Sequence, residues 1–348
     1  MNEKTIEVFN WQSNPFAFKI MPDVFVGYEN EREKVYSALL SGEKFLMVLG
    51  PTGSGKTTFL KHLLERLGND NAMYLPKPPK DPNDWLSVFD KIIRPGLFSF
   101  LRKKTVNLYN LSEEVNKKLK NKRFFLLLDE CHEASLESLE WLRTITDQIE
   151  NMSVVIAALP IFEKILKQNL ETFMKRITIS IKLTNLTKSE MRELIKRRIE
   201  KVGGEDIKPF TGDVLDFIYE RTAGFPREVL RVCNEIVQEA LNKNITTIDS
   251  YFIKESSHEK RIPLQTIELL PEKQKAVMNI LRQKGELTPS EIIKNMSSEE
   301  YKNKGNAIRA VNNILKRLMD QGFVERKKIG KSYKYMISAK YQTIVVEA

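Results

Sequence analysis

Gly50, Pro51, Thr52, Gly53, Ser54, Gly55, Lys56 and Thr57 stand in the spacing G-x-x-x-x-G-K-[ST]. Those residue types at that spacing hold phosphate. The glycines let successive backbone N–H groups converge on one anion. Lys56 reaches the β- and γ-phosphates, and the Thr57 hydroxyl ligates Mg²⁺, with Thr58 next in the helix that follows. Such a loop requires a strand before it and a helix after it. Phe45–Leu49 is an apolar run, and Leu60, Leu63, Leu64 and Leu67 recur on one helical face. The helix N-terminus adds its partial positive charge. The expected ligands are ATP and Mg²⁺.

A second run, Phe124 to Leu128, ends in Asp129 and Glu130. At a strand's C-terminal end both carboxylates face the bound nucleotide. Asp129 is expected to hold Mg²⁺ through its water shell, and Glu130 to activate the attacking water. The letters Asp129-Glu130-Cys131-His132 also spell a helicase-like D-E-x-H. The accompanying arginine-rich helicase block is missing, so His132 is read as a polar turn residue. Arg176, just before a late strand, and Arg227, in Gly224-Phe225-Pro226-Arg227, are the two arginines placed to meet charge on a γ-phosphate.

These residues need a scaffold. Phe45–Leu49, Ala72–Leu75, Phe124–Leu128, Ser153–Leu159 and Ile177–Leu183 read as strands separated by helical patterns, which predicts a parallel sheet with crossover helices. Residues 1–185 form the expected α/β nucleotide-binding part. From Thr187-Lys188-Ser189-Glu190, a helix start, to about Ser257 the pattern is helical, giving a lid over 186–257. A polar stretch, Glu255 to Pro263, reads as a linker.

The 348 residues carry 41% hydrophobic residues, enough for real cores. The formal net charge of +10 suits a polyanionic partner. Two cysteines, Cys131 and Cys233, stand far apart, and no signal-peptide pattern or apolar stretch of membrane-spanning length is present. A cytoplasmic protein without a membrane partner is expected.

Residues 264–348 read as a winged helix-turn-helix. Pro271–Lys284 is a first helix, Thr288 caps a second with Pro289 at its first position, and a third runs from about Asn306 to Gln321. Ile308, Val311, Leu315 and Leu318 share one face of that third helix. Gly322 would stop it. Phe323 to Ile337 alternates, with Gly330 in the expected hairpin turn of a wing. From Glu300 to Lys340 there are eleven basic residues against three acidic ones, so nearly all the chain's positive excess lies here. Asn306, Arg309, Asn313 and Lys316 fall on the third helix's outer face, where Asn and Arg read adenine and guanine edges in a major groove. Arg326, Lys327, Lys328 and Lys331 on the wing would hold phosphates of double-stranded DNA. A winged helix used only for protein contacts is the competing use of this domain.

Strung together, these motifs resemble an AAA+ ATPase over about Phe9 to Ser257. The resemblance includes Asn14-Pro15-Phe16, Phe25-Val26-Gly27-Tyr28-Glu29, the two nucleotide blocks, Leu186-Thr187-Lys188-Ser189-Glu190 and Gly224-Phe225-Pro226-Arg227. Two branches are similar: the archaeal origin-recognition initiators, and the ExeA/TniB-type ATPases, the latter through Leu139-Glu140-Trp141-Leu142-Arg143 and Lys175-Arg176-Ile177 as well. The resemblance implies a helical lid on an α/β core. It implies that the segment from Asn14 to Gly27, including Phe16 and Val26, lines the adenine pocket. Arg227 would sense the γ-phosphate, and Arg176 would be a finger offered to a neighbouring subunit, whether a second copy or another AAA+ protein. Two positions depart from the pattern. Tyr28 stands where the initiators carry arginine, and the fourth strand ends apolar at Ala157-Ala158-Leu159. Slow hydrolysis, or another group positioning the water, follows from the second departure. The functional expectation is an ATP-dependent DNA-binding switch in replication initiation, or in transposition or recombination. The alternatives are a signalling or transcriptional regulator whose winged helix binds a promoter or a protein, and an inert nucleotide-binding scaffold.

Overall fold

The computed structural model describes residues 8–93, 106–255, 270–296, 304–320, 323–329 and 332–337. Its contacts divide into two compact units. The first comprises Met1–Pro209 with Gly224–Asn244, and the second Phe210–Ala223 with Ile245–Ala348.

The first unit is built on five parallel strands, β1 (Phe45–Leu49), β2 (Ala72–Leu75), β3 (Phe124–Leu128), β4 (Met152–Ala158) and β5 (Ile177–Lys182), in the order β2-β3-β4-β1-β5. The apolar sequences of β1 and, Ser153 aside, of β4 follow from their central places, buried on both faces. Alternate residues serve opposite cores, as a two-residue period requires. Phe45, Met47, Leu49, Leu126, Leu128, Val154 and Ile156 face one cluster with Trp85, Phe89, Leu142 and Phe173. Leu46, Val48, Phe125, Leu127, Val155 and Ala157 face the other with Leu39, Phe59, Leu60 and Leu63. Edge strand β5 instead alternates between inward isoleucines and exposed Thr178, Ser180 and Lys182.

Helices α1 (Glu29–Ser41) and α2 (Lys56–Leu67) supply the second cluster, and α3 (Leu136–Gln148) the first. Because the strands are parallel, β1, β3 and β4 all deliver their C-terminal ends to one edge. There the turns are tied together: Gly50 N–H donates to Ala158 O at 3.2 Å, Leu183 N–H to Leu49 O at 2.7 Å, and Asp129 N–H to Leu75 O at 2.9 Å. Two further helices of the unit bear on the site, α4 (Lys188–Lys201) and α5 (Pro226–Asn242). Thr187 starts α4 with a reciprocal capping box to Glu190, and Pro226 occupies the first turn of α5, each satisfying the helix-start chemistry visible in the sequence.

In the second unit, α6 (Glu272–Lys284), α7 (Pro289–Asn295) and α8 (Lys304–Asp320) pack with the antiparallel hairpin β6 (Val324–Ile329) and β7 (Ser332–Ile337). Val277, Leu281, Ile292, Val311, Leu315, Leu318, Val324 and Ile337 form its core. Thr288 caps α7 through a capping box with Glu291. A bridge between Leu287 and Tyr335 adds a third short strand to the hairpin. Three helices and a hairpin in this order make a winged helix. Gly322 and Gly330 lie outside the described residues. Among the described residues no helix is long and apolar enough to cross a membrane.

Candidate functional site

The phosphate loop turns on glycines that only glycine suits. Gly53 and Gly55 have φ of +83° and +95°. A Cβ on Gly50 would stand 2.3 Å from Ser54 Oγ and 2.7 Å from Leu183 O. The first helical bond of α2 is Phe59 N–H to Gly55 O, so the amides of Lys56, Thr57 and Thr58 lie ahead of the ladder and are aimed at the loop. Ser54 is fully buried, and its Oγ has no partner among the described residues. Lys56 Nζ donates to Gly50 O at 2.9 Å and Pro51 O at 3.1 Å. Burial pushes its pKa down, opposed by the charges of Glu130 and Asp129. Pro51 and Thr52 complete the turn.

Across this loop, Asp129 is 2% exposed and accepts from three donors. Its Oδ2 accepts from Thr57 Oγ1 at 2.6 Å and from the Tyr74 hydroxyl at 3.0 Å, while Oδ1 accepts from Glu130 N–H at 2.9 Å. A hydroxyl and a carboxylate this close form the hard oxygen donor set that Mg²⁺ takes beside a phosphate. The residues present therefore fit a magnesium nucleotide.

Glu130 follows with φ of +51°, the left-handed region that costs a non-glycine residue about 1–3 kcal/mol. That turn lifts its carboxylate out of the strand line, leaving it 40% exposed, with His132 Nε2 3.4 Å from Oε2. The exposure leaves the Glu130 carboxylate open to solvent.

Beside the loop, an apolar cavity is lined by Phe25, Val26, Thr58, Leu186, Leu194 and Leu230, with Gly55 and Ser54 at its phosphate side. Its chemistry suits a nucleobase. Val26 is on its wall. Phe16 is not among the lining residues: its ring is fully buried and meets Trp11 edge-on at 6.2 Å, so it braces the scaffold, and the aromatic lining is Phe25 and Tyr28. Arg198 also lines this cavity. It is 5% exposed and donates to the carbonyls of Pro15 (2.8 Å), Ala17 (3.3 Å) and Lys19 (2.8 Å), tying α4 to the N-terminal segment. Burial pushes its pKa down to about 10.

The two arginines separate. Arg227 sits against the phosphate loop, its N–H donating to Gly53 O at 3.2 Å. Arg176 is 57% exposed and its Nε meets Asp147 Oδ2 of α3 at 3.2 Å. Among the described residues no bond joins Arg176 to the loop of its own chain.

On α8, Arg309, Asn313 and Lys316 are exposed opposite the buried Val311, Leu315 and Leu318. Arg326, Lys327 and Lys328 are exposed on β6, but the pleat divides them. Arg326 and Lys328 share the face of Tyr333, with the Arg326 guanidinium 4.5 Å over that ring, and Lys327 points the other way. The Asn306 side chain and Lys331 lie outside the described residues.

Sequence reasoning missed Tyr74 and Arg198. Each acts on a partner distant in sequence, so no local spacing signals either.

Comparison with known proteins agrees with this geometry. Residues 39–166 match the AAA domain family, and residues 270–347 match the penicillinase repressor family. An uncharacterised HTH-type transcriptional regulator of Methanocaldococcus jannaschii is 27% identical over 174 residues, 49% of this chain and 41% of that protein. The chain thus spans under half the length of that relative. Among solved structures, the Aeropyrum pernix ORC2 protein superimposes with a TM-score of 0.65 at 14% identity, covering 96% of each chain. Thermotoga maritima RuvB gives 0.52 at 18% identity, covering 95% of this chain and 98% of its own. The A. pernix ORC1 protein in complex with DNA gives 0.51 at 16%, covering 95% and 94%. Residues 39–166 thus form an AAA domain on the five-stranded parallel sheet, followed by a winged helix, and the presence of that domain supports ATPase activity.

Proposed function

We propose that this protein is an ATP-hydrolysing, nucleotide-controlled, DNA-binding regulator of transcription. The observation that carries the reading is one chain holding both a complete phosphate site and a winged helix whose α8 presents Arg309, Asn313 and Lys316 outward. Both the penicillinase repressor match and the HTH-type regulator relative favour a promoter as the DNA. The replication role expected from the sequence gives way to this reading. The likeness to ORC-named structures, at 14–16% identity, carries the fold and not the role.

In this reading the nucleotide supplies a γ-phosphate whose presence or loss distinguishes two states. The loop amides and Lys56 bind its phosphates. Thr57 and Asp129 would hold the accompanying Mg²⁺. Glu130 takes the proton of the attacking water, and Arg227 meets charge on the γ-phosphate. Arg176 reaches toward a neighbouring copy. State-dependent affinity then biases how the winged helix meets DNA.

Chromatin occupancy of the full chain, compared with its Glu130→Gln variant, tests the reading. Peaks at promoters that strengthen when ATP is trapped support it. Peaks at replication origins, or at the ends of mobile elements, would replace it with the corresponding role. DNA affinity in vitro should also fall steeply with salt, as phosphate contacts dictate.

A further inference from the structure

We propose that Tyr74 is a positioning residue for the metal-binding carboxylate and sets how tightly the site holds its divalent ion. The tyrosine stands one residue before the end of β2, paired in register with Leu127 of β3, while Leu75 pairs with Leu128. That register brings its hydroxyl to the turn where β3 ends. There it donates to Asp129 Oδ2, the same oxygen that receives the Thr57 hydroxyl.

A buried carboxylate with three donors cannot rotate without leaving one unmade, and a buried donor left without its acceptor is costly. Thr57 gives its proton to Asp129 and so keeps its lone pairs for a cation. Tyr74 holds the acceptor side of that arrangement still. The ring is itself held, since the Lys61 ammonium of α2 lies 5.4 Å from its centroid, a cation–π contact. Tyr74 is thus clasped by α2, the same helix that carries Thr57. Its hydroxyl does not touch nucleotide or reacting atoms in this scheme. It acts through Asp129, in the way outer-shell partners orient metal ligands elsewhere. The inference rests on Thr57 and Asp129 being the metal-holding pair.

The experiment uses full-length Tyr74→Phe, which keeps the ring and deletes one hydroxyl. ADP affinity is measured by calorimetry in EDTA and across a Mg²⁺ series, and Mn²⁺ binding to the ADP complex by electron paramagnetic resonance. ADP affinity in EDTA should stay within about twofold, while half-saturation by Mg²⁺ and Mn²⁺ rises about tenfold. Lys61→Met, which leaves the phenol in place, should shift half-saturation the same way by about threefold. An unchanged half-saturation in Tyr74→Phe overturns the proposal. So does an equal loss in EDTA, which would make Tyr74 a packing residue. If ADP affinity of the unaltered protein ignored Mg²⁺ altogether, the metal reading of Thr57 and Asp129 would fall first and the role of Tyr74 with it.

Discussion

Arg227 closes over Gly53: its N–H donates to the Gly53 carbonyl at 3.2 Å, and a Cβ on Gly53 would stand 2.7 Å from Arg227 Cβ. The start of α5 and the middle of the phosphate loop are therefore one packed contact. Gly53→Ala meets both that contact and a φ of +83°, which costs an L-residue about 1–2 kcal/mol. The expected outcome is a lower melting temperature and at least a tenfold loss of ATP affinity, read by thermal denaturation and calorimetry. Wild-type affinity in this variant would mean that α5 yields freely.

Arg227→Ala separates the backbone contact from the guanidinium. The N–H bond to Gly53 survives, so ADP affinity should hold within about twofold. A charge-assisted bond to a γ-phosphate is worth about 1.5–3 kcal/mol, so preference for ATP over ADP should drop by about tenfold or more. Paired titrations with ADP and a non-hydrolysable ATP analogue give the ratio directly.

The scaffold was legible in the sequence because its signals are local. The run Phe45–Leu49, the Thr187–Glu190 and Thr288–Glu291 caps, and Pro289 each announce themselves within a few residues. Tyr74 could not be found that way. Its partner Asp129 is 55 residues distant, and only the adjacency of β2 and β3 brings them together. Arg198 lies within a strongly charged helix and reads as one more surface cation, yet it bonds carbonyls 179 to 183 residues away. Phe16 and Phe25 are alike in composition. Which of them faces the cavity depends on Trp11, whose packing takes Phe16 out of the wall.

Arg198 offers a separable test of the base cavity. Its three carbonyl bonds hold the segment from Pro15 to Lys19 against α4. Arg198→Met keeps the apolar stem and removes those bonds. ATP affinity should fall about tenfold, the effect of losing at least one charge-assisted bond. Inorganic triphosphate, which has no base, should bind as before. Equal losses for both ligands would show that Arg198 supports the whole unit rather than the base wall.

In the winged helix, the Thr288–Glu291 cap predicts an acid response. Hydrogen bonding from the Thr288 backbone, then its side chain, pulls the Glu291 pKa below its ordinary 4.5. The stability it contributes is therefore fully present above 4.5 and is lost as pH falls through the lowered value. In the full chain, α7 amide resonances near Thr288 should lose exchange protection in that acid window. Thr288→Ala should show weaker protection already at pH 7 and a smaller further change on acidification. An identical acid profile in both proteins would place the response elsewhere.

Arg176 yields the test of assembly. Its Nε shares Asp147 Oδ2 with Arg143 Nη1, at 3.2 and 3.3 Å. If Arg176 leaves, Arg143 still satisfies the carboxylate, so the arginine can be released at little cost. Its 57% exposure leaves the guanidinium accessible to another molecule. If it serves the nucleotide of a neighbouring copy, each site combines Glu130 from one protomer with Arg176 from the next. Arg176→Ala and Glu130→Gln proteins should each hydrolyse ATP poorly alone. Mixed in equal amounts, about a quarter of the sites of a head-to-tail assembly would pair an intact Glu130 with an intact Arg176, so turnover should recover to about a quarter of wild type. No recovery over a range of mixing ratios would remove Arg176 from the chemistry and leave a protomer that acts alone.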